Sequence, residues 1–262
     1  PDYMLEPKLK SFIPEIQRLM FADKWQEAVD VVMKGNNNHV SRKNTSEAYQ
    51  TLGSLVIRLV GHDIPTAYHR SLSLEDAIAS TEYTVGGMTC RREVFASLAD
   101  DVIVMRLTTD KPGGLDCSVF FESPYQREAR VADDGRDICV FGRGGIGWAR
   151  SAVSYHALVR AVPSGGTVSA DNGVMFVKGA DAITFILSAA TSFVNWQDGS
   201  SGDAKGRAVA RLEQAITRDY ATLRERHIAK YRSQFNTCRL EMPDLQPGKT
   251  IPERLATFRE TK

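Results

Sequence analysis

Glu82-Tyr83-Thr84-Val85-Gly86-Gly87-Met88-Thr89-Cys90-Arg91-Arg92-Glu93-Val94 decides the fold. Tyr83 and Val85 alternate with Glu82 and Thr84, and Met88, Cys90, Arg92 and Val94 alternate on the return. A period of two marks a strand with two unlike faces. The glycine pair between the runs lets both turn positions take positive φ, so the stretch predicts a tight β-hairpin.

The same period spreads outward from that hairpin, from about Tyr49 to Asn195. Val102–Leu107 reads as a strand closed by Lys111-Pro112-Gly113-Gly114. Further strands are expected at Cys117–Phe121, Ala152–Val162, Val174–Val177 and Ile183–Leu187. Pro163-Ser164-Gly165-Gly166 and Asp171-Asn172-Gly173 punctuate them. Many short strands with turns and no helices between them imply a mainly β fold, an antiparallel β-sandwich.

Helical periodicity flanks this region. Over residues 11–35, Trp25, Ala28, Val29, Val32 and Met33 share one face. Asp23 and Gln26 have capping-box spacing, Gly35 is a natural stop, and Asn36-Asn37-Asn38 reads as loop. From Asp203 to about Phe235, the series Val209, Leu212, Ile216, Tyr220, Leu223, His227 and Tyr231 makes one continuous stripe, a single long helix. The expected organisation is a helical segment at 1–47, a sandwich at 48–198 and a helical linker at 199–262.

The 262 residues suffice for a substantial core. With 42% hydrophobic and 25% charged residues and a net charge of +1, no clustered basic face is available to nucleic acid. Cys90, Cys117, Cys139 and Cys238 are scattered without a CxxC pair, so buried thiols are expected and neither a metal nor a cofactor is implied. No apolar run is long enough to span a bilayer. The chain opens at Pro1 without a Met, which reads as trimmed.

Gly142-Arg143-Gly144-Gly145-Ile146-Gly147 matches the dinucleotide pattern G-x-G-x-x-G. That chemistry needs a helix after the third glycine to receive a pyrophosphate. The next segment, Ala152–Val159, alternates like a strand, so the glycines are expected in a strand connection. None of His39, His62, His69, His156 and His227 has a second ligand at a metal-binding offset, and His227 is expected as a packed, hydrogen-bonded core residue. The acidic pairs Glu75-Asp76, Asp100-Asp101 and Asp133-Asp134 read as solvated turns.

Asn195, Trp196 and Asp198 are the candidate substrate-binding residues. They come after an apolar strand in a Gly/Ser-rich exit, where a Trp face can stack on a sugar while Asn and Asp bind hydroxyls. The preferred alternative is a Trp that anchors the sandwich to the helix behind it, because Trp is usually largely buried.

Several blocks together resemble one family: Ala48–Leu55, Tyr68–Leu74, Tyr83–Ser97, Val102–Gly113, Gly179–Ala182, Ala189–Phe193, His227–Tyr231 and Glu253–Leu255. Their order and spacing from Phe12 to Lys262 are similar to the N-terminal region of glycoside hydrolase family 95, the α-L-fucosidases, many of which act on 1,2-linked fucose. Asn236-Thr237-Cys238-Arg239 departs from the shorter step common in the family, and the family's Trp- and Gly-rich opening strands are missing before Phe12.

The resemblance implies a sandwich, a helical linker and then an α/α barrel that carries the reaction. The family inverts configuration with a glutamic acid as general acid and an Asn–Asp pair activating water, groups of this kind standing roughly 6.5–9.5 Å apart. Those residues belong to the barrel, which would begin after Lys262, with Glu253-Arg254-Leu255 as the hinge. The implied catalytic set on this chain is therefore empty. The implied partners are the parent enzyme's own catalytic barrel and, for the intact enzyme, a fucosylated glycan or one bearing the related L-galactose. A bacterial source and a periplasmic or secreted location are what the resemblance suggests. The rival classes are an autonomous carbohydrate-binding module using Trp196 or Trp148, and a nucleotide-dependent oxidoreductase, which requires a helix after Gly147.

Overall fold

The computed structural model describes residues 7–37, 51–123, 128–131, 136–146, 149–241 and 247–260. His39, Asp133, Asp134, Gly147 and Trp148 lie outside the described residues.

The N-terminal helical region is two helices, α1 (Pro7–Phe21) and α2 (Trp25–Asn37), packed on each other over Leu19 and Ala28. The break falls at Asp23, whose φ of 62° leaves the helical region. Its carboxylate accepts the Trp25 indole N–H at 2.6 Å instead of closing the expected capping box. Gly35 does not end the helix either, since Asn36 and Asn37 remain helical. Trp25, Val29, Val32 and Met33 stay exposed along α2.

Among the described residues twelve strands come next: β1 (Ser54–Leu59), β2 (Thr66–Ser73), β3 (Ile78–Val85), β4 (Met88–Ser97), β5 (Val102–Thr109), β6 (Leu115–Glu122), β7 (Glu128–Val131), β8 (Ile138–Ile146), β9 (Ala149–Ser164), β10 (Thr167–Asp171), β11 (Val174–Ala180) and β12 (Ala182–Thr191). They form an eight-stranded sheet, β2-β3-β4-β5-β12-β9-β8-β7, and a four-stranded sheet, β1-β6-β11-β10. The protein is mainly β, an antiparallel sandwich.

The β3–β4 hairpin forms as the sequence predicts. Val85 pairs with Met88 across Gly86 and Gly87, whose φ values are 54° and 68°. Gly165 and Gly166, also at positive φ, turn the chain from β9 in the large sheet to β10 in the small one. A Cβ on Gly166 would lie 2.3 Å from the Lys178 carbonyl oxygen, so only glycine fits there. The Gly142–Gly147 run lies in β8 as far as Ile146, and Gly142 lets the Tyr155 ring approach. The next element is strand β9, so the helix that a dinucleotide site requires is absent among the described residues.

Two cores result from the period of two. Between the sheets lie Leu107, Val119, Ile138, Val159, Met175, Ile183 and Phe185. On the opposite face of the large sheet, Phe95, Val102, Val104, Leu158 and Ile186 meet two helices, α3 (Ala204–Ala215) and α4 (Tyr220–Phe235), through Ala208, Leu212, Ala215 and Leu223. These helices replace the single long one expected. Asp219, at ψ 168°, steps out of the helix and caps α4 by accepting the Thr222 N–H at 2.8 Å. Asp203 caps α3 in the same way through Gly206. A last helix, α5 (Ile251–Glu260), contains Glu253-Arg254-Leu255.

Candidate functional site

The exit from β12 holds the candidate residues Asn195, Trp196 and Asp198. Asn195 Oδ1 accepts the backbone N–H of Gln197 at 2.9 Å and of Asp198 at 3.0 Å. Asp198 accepts the N–H groups of Ser200 and Ser201 on Oδ1 and the Ser201 hydroxyl on Oδ2. The Ser201 hydroxyl, then those amides, hold the Asp198 carboxyl below the usual carboxylate range. Both side chains thus build their own turn, as short polar residues do in loops. Arg207 of α3 fastens the loop from behind, donating to the carbonyls of Thr191 and Phe193. Trp196 is 78% exposed, so it is not the buried anchor that the sequence favours. Phe193 and Val194 beside it are also exposed.

A second site lies where the chain crosses between sheets. Four strands cannot cover eight, and the inner face of β3 and β4 runs on past the edge strand β1. A cleft of about 620 Å³ occupies this ledge, lined by Leu59, His62, Asp63, Tyr68, Tyr83 and Arg92 among others. A β-bulge shapes it. Thr66 pairs with Thr84 and His69 with Glu82, so Ala67 and Tyr68 together oppose Tyr83. Ala67 takes a φ of 48°, a cost of about 1 kcal/mol for a residue with a Cβ. The bulge brings the Tyr68 ring onto Tyr83, with centroids 6.3 Å apart and planes 28° from parallel.

The Tyr83 hydroxyl lies 2.7 Å from His62 Nδ1, and burial pushes its pKa up to about 12. Burial pushes His62 the other way, below its usual value. His62 Nε2 is buried without a hydrogen-bond partner among the described residues. Arg92 reaches across to the Thr81 hydroxyl at 3.3 Å. Sequence reading finds no second ligand for His62 and misses the cleft. The available signal is the period of two, which puts Thr81, Tyr83, Cys90 and Arg92 on one face.

The remaining ionisable groups hold layers together. Arg160 forms a buried two-point ion pair with Asp137, at 2.6 and 2.8 Å, and reaches Glu213 of α3 at 3.0 Å. Arg106 lies over the Tyr220 ring, whose hydroxyl donates to Glu93 at 2.6 Å. His227 is a packed, hydrogen-bonded core residue as expected, and His156 is buried on β9 against Phe141. Cys90, Cys117 and Cys139 are buried thiols outside any disulfide, and Cys238 is exposed. Hydrogen bonds hold the carboxyl groups of Glu15, Asp198, Asp219 and Glu253 low. A general acid needs the opposite displacement. Among the described residues, no group of three or more His, Cys, Asp or Glu side chains could hold a metal ion. No described helix is long and apolar enough to cross a membrane.

Residues 2–196, which include the whole two-sheet sandwich, match the family described as glycosyl hydrolase family 65, N-terminal domain. The chain belongs to this family. It is 25% identical over 281 residues to "Alpha-L-fucosidase 2" of Arabidopsis thaliana, spanning 95% of this chain and 32% of the relative. It is 24% identical over 217 residues to "Probable alpha-fucosidase A" of Aspergillus niger, spanning 75% and 26%. The chain thus covers about a third or less of the length of these relatives. Among solved structures, a human-microbiome protein described as a kojibiose phosphorylase aligns over 67% of this chain and 27% of its own, at 11% identity and TM-score 0.47. A bacterial glucoamylase complexed with acarbose aligns over 68% and 31%, at 10% identity and TM-score 0.44. This glycosyl hydrolase N-terminal domain is therefore similar in sequence to fucosidases, although the matched family is described under number 65 and not 95.

Proposed function

We propose that this chain is the non-catalytic sandwich and helical linker of a glycoside hydrolase that resembles the inverting α-L-fucosidases of family 95. The observation that carries the proposal is the reach of the fucosidase similarity, which covers 95% of this chain but 32% of the Arabidopsis relative. Its parts are the helical segment 1–47, the sandwich 48–198 and the linker 199–262. Its job is to support a catalytic barrel, whose own residues select L-fucose or the related L-galactose. The exposed row Trp25, Val29 and Met33 on one face of α2 supports such a role, since an apolar stripe favours a covering surface. The test is a fucose-release assay on the chain with an α-1,2-linked fucoside. No release above buffer is expected, and turnover overturns the proposal.

A second function, glycan binding through the exit loop, is favoured by the exposure of Trp196 on a turn fixed by Asn195 and Asp198. The indole face would carry the stacking contact, while Asn195 Oδ1 and the Asp198 carboxylate serve the turn. Titration with fucosylated glycan distinguishes the two: binding lost in Trp196→Ala supports a module, and no binding supports the scaffold alone.

A further inference from the structure

We propose that the ledge cleft between β1 and the β2–β4 hairpins binds a pyranose ring of a neutral glycan. The inference rests on the chain's place among glycoside hydrolases and not on the choice of fucose. Three observations converge. First, the bulge at Ala67–Tyr68 sets two stacked tyrosines at the cleft, with Tyr68 half exposed and Tyr83 buried behind it. A half-exposed aromatic ring backed by another is a rigid apolar platform for the C–H face of a sugar.

Second, the rim carries the groups that grip hydroxyls. Arg92 contacts the Thr81 hydroxyl through one nitrogen, and its planar fork can span two adjacent hydroxyls. Asp63 supplies carboxylate oxygens on the facing loop. Of the two cations in the lining, Arg58 lies over the Phe120 ring, 4.8 Å from its centroid, so Arg92 and the one anion, Asp63, are left to face a ligand and favour a neutral one over an acidic one. Third, His62 Nε2 is buried and unpartnered among the described residues while Nδ1 is engaged by Tyr83. Buried polar atoms without partners are rare in native proteins, and a small turn of the His62 ring would bring this one to a ligand hydroxyl in the adjoining cleft.

The geometry therefore assigns stacking to Tyr68, a diol contact to Arg92 and a single hydroxyl contact to His62. The volume of about 620 Å³ accommodates a mono- or disaccharide end.

The experiment is calorimetric or NMR titration of the chain with a fucosyl-α-1,2-galactoside and with the same galactoside lacking fucose. Binding is expected to weaken by about tenfold or more in Tyr68→Ala and in Arg92→Ala, and to persist in Tyr68→Phe and Trp196→Ala. Thermal unfolding of each variant separates a lost contact from a lost fold. Binding that Tyr68→Ala leaves unchanged, or the absence of binding to either sugar, overturns the cleft. Equal binding of both sugars supports the cleft, and the proposed function stands or falls on the fucose-release assay, so the two proposals fail separately.

Discussion

His227 stacks on Phe95 with ring centroids 4.7 Å apart, and its Nε2 lies 2.8 Å from the carbonyl oxygen of Asp76. A carbonyl only accepts, so Nε2 carries the proton and the ring is fixed in that tautomer. The contact joins α4 to the turn between β2 and β3. Replacing His227 by Leu removes the hydrogen bond and leaves the carbonyl unmet, at an expected cost of about 2 kcal/mol. Chemical denaturation measures it, and an unchanged midpoint would show that α4 docks without this residue.

The Arg160–Asp137 pair is a stronger test, because Asp137 is only 2% exposed. Arg160→Ala leaves that carboxylate without its two-point partner, and a loss of about 3–5 kcal/mol is expected. The double variant Arg160→Met, Asp137→Leu should recover much of the loss, since it removes both charges. If the double variant is as unstable as the single one, the pair contributes packing more than charge.

Acid should loosen α4 first at its N-terminus. The Thr222 amide, with the Thr222 hydroxyl, holds the Asp219 carboxyl below its ordinary 3.8. A depressed carboxyl contributes stability that is whole above that ordinary value and fades as pH falls through the folded-state value. Helical circular dichroism should therefore decline below about pH 4 in a manner that Asp219→Asn suppresses, because Asn caps without titrating. Identical acid profiles for the two proteins would refute this.

Two glycines separate strain from crowding. Gly61 and Gly166 share positive φ, 76° and 71°, but a Cβ on Gly61 meets nothing within 4 Å. Gly61→Ala should cost about 1 kcal/mol. Gly166→Ala also drives a methyl into the Lys178 and Ala180 backbone, so about 3 kcal/mol or more is expected. Equal unfolding midpoints for the two variants would contradict the predicted crowding.

Thiol reactivity checks the burial of the cysteines. A thiol-specific reagent should titrate one group, Cys238, in the native protein and four after denaturation. Burial pushes Cys117 up to about 11, which suppresses its reactive thiolate further. More than one fast-reacting thiol in the native state would mean that the sheets open.

Much of the fold is legible in the sequence because alternation and turn chemistry agree. Gly86-Gly87 marks a hairpin that forms where expected, and Asp171-Asn172-Gly173, expected as punctuation, turns β10 into β11. The break between α3 and α4 escapes periodicity, since Ile216, Tyr220 and Leu223 keep helical spacing across it. Only the capping potential of Asp219 hints at it. The exit loop is legible as a composition, but the inward use of Asn195 and Asp198 depends on backbone geometry. The ledge cleft depends on sheet order, which brings His62 to Tyr83 across 21 positions, and on a bulge that no local pattern announces.

Phe185 and Ile186 are consecutive on β12 and face different interiors. The large sheet is therefore a party wall one backbone thick between two dry rooms. A chain cut after Asp198 would leave Val104, Leu158 and Ile186 looking onto water, and the second sheet could do nothing to cover them. The α3–α4 pair is accordingly a roof for this domain, and a disturbance along β12 would be felt in both rooms at once.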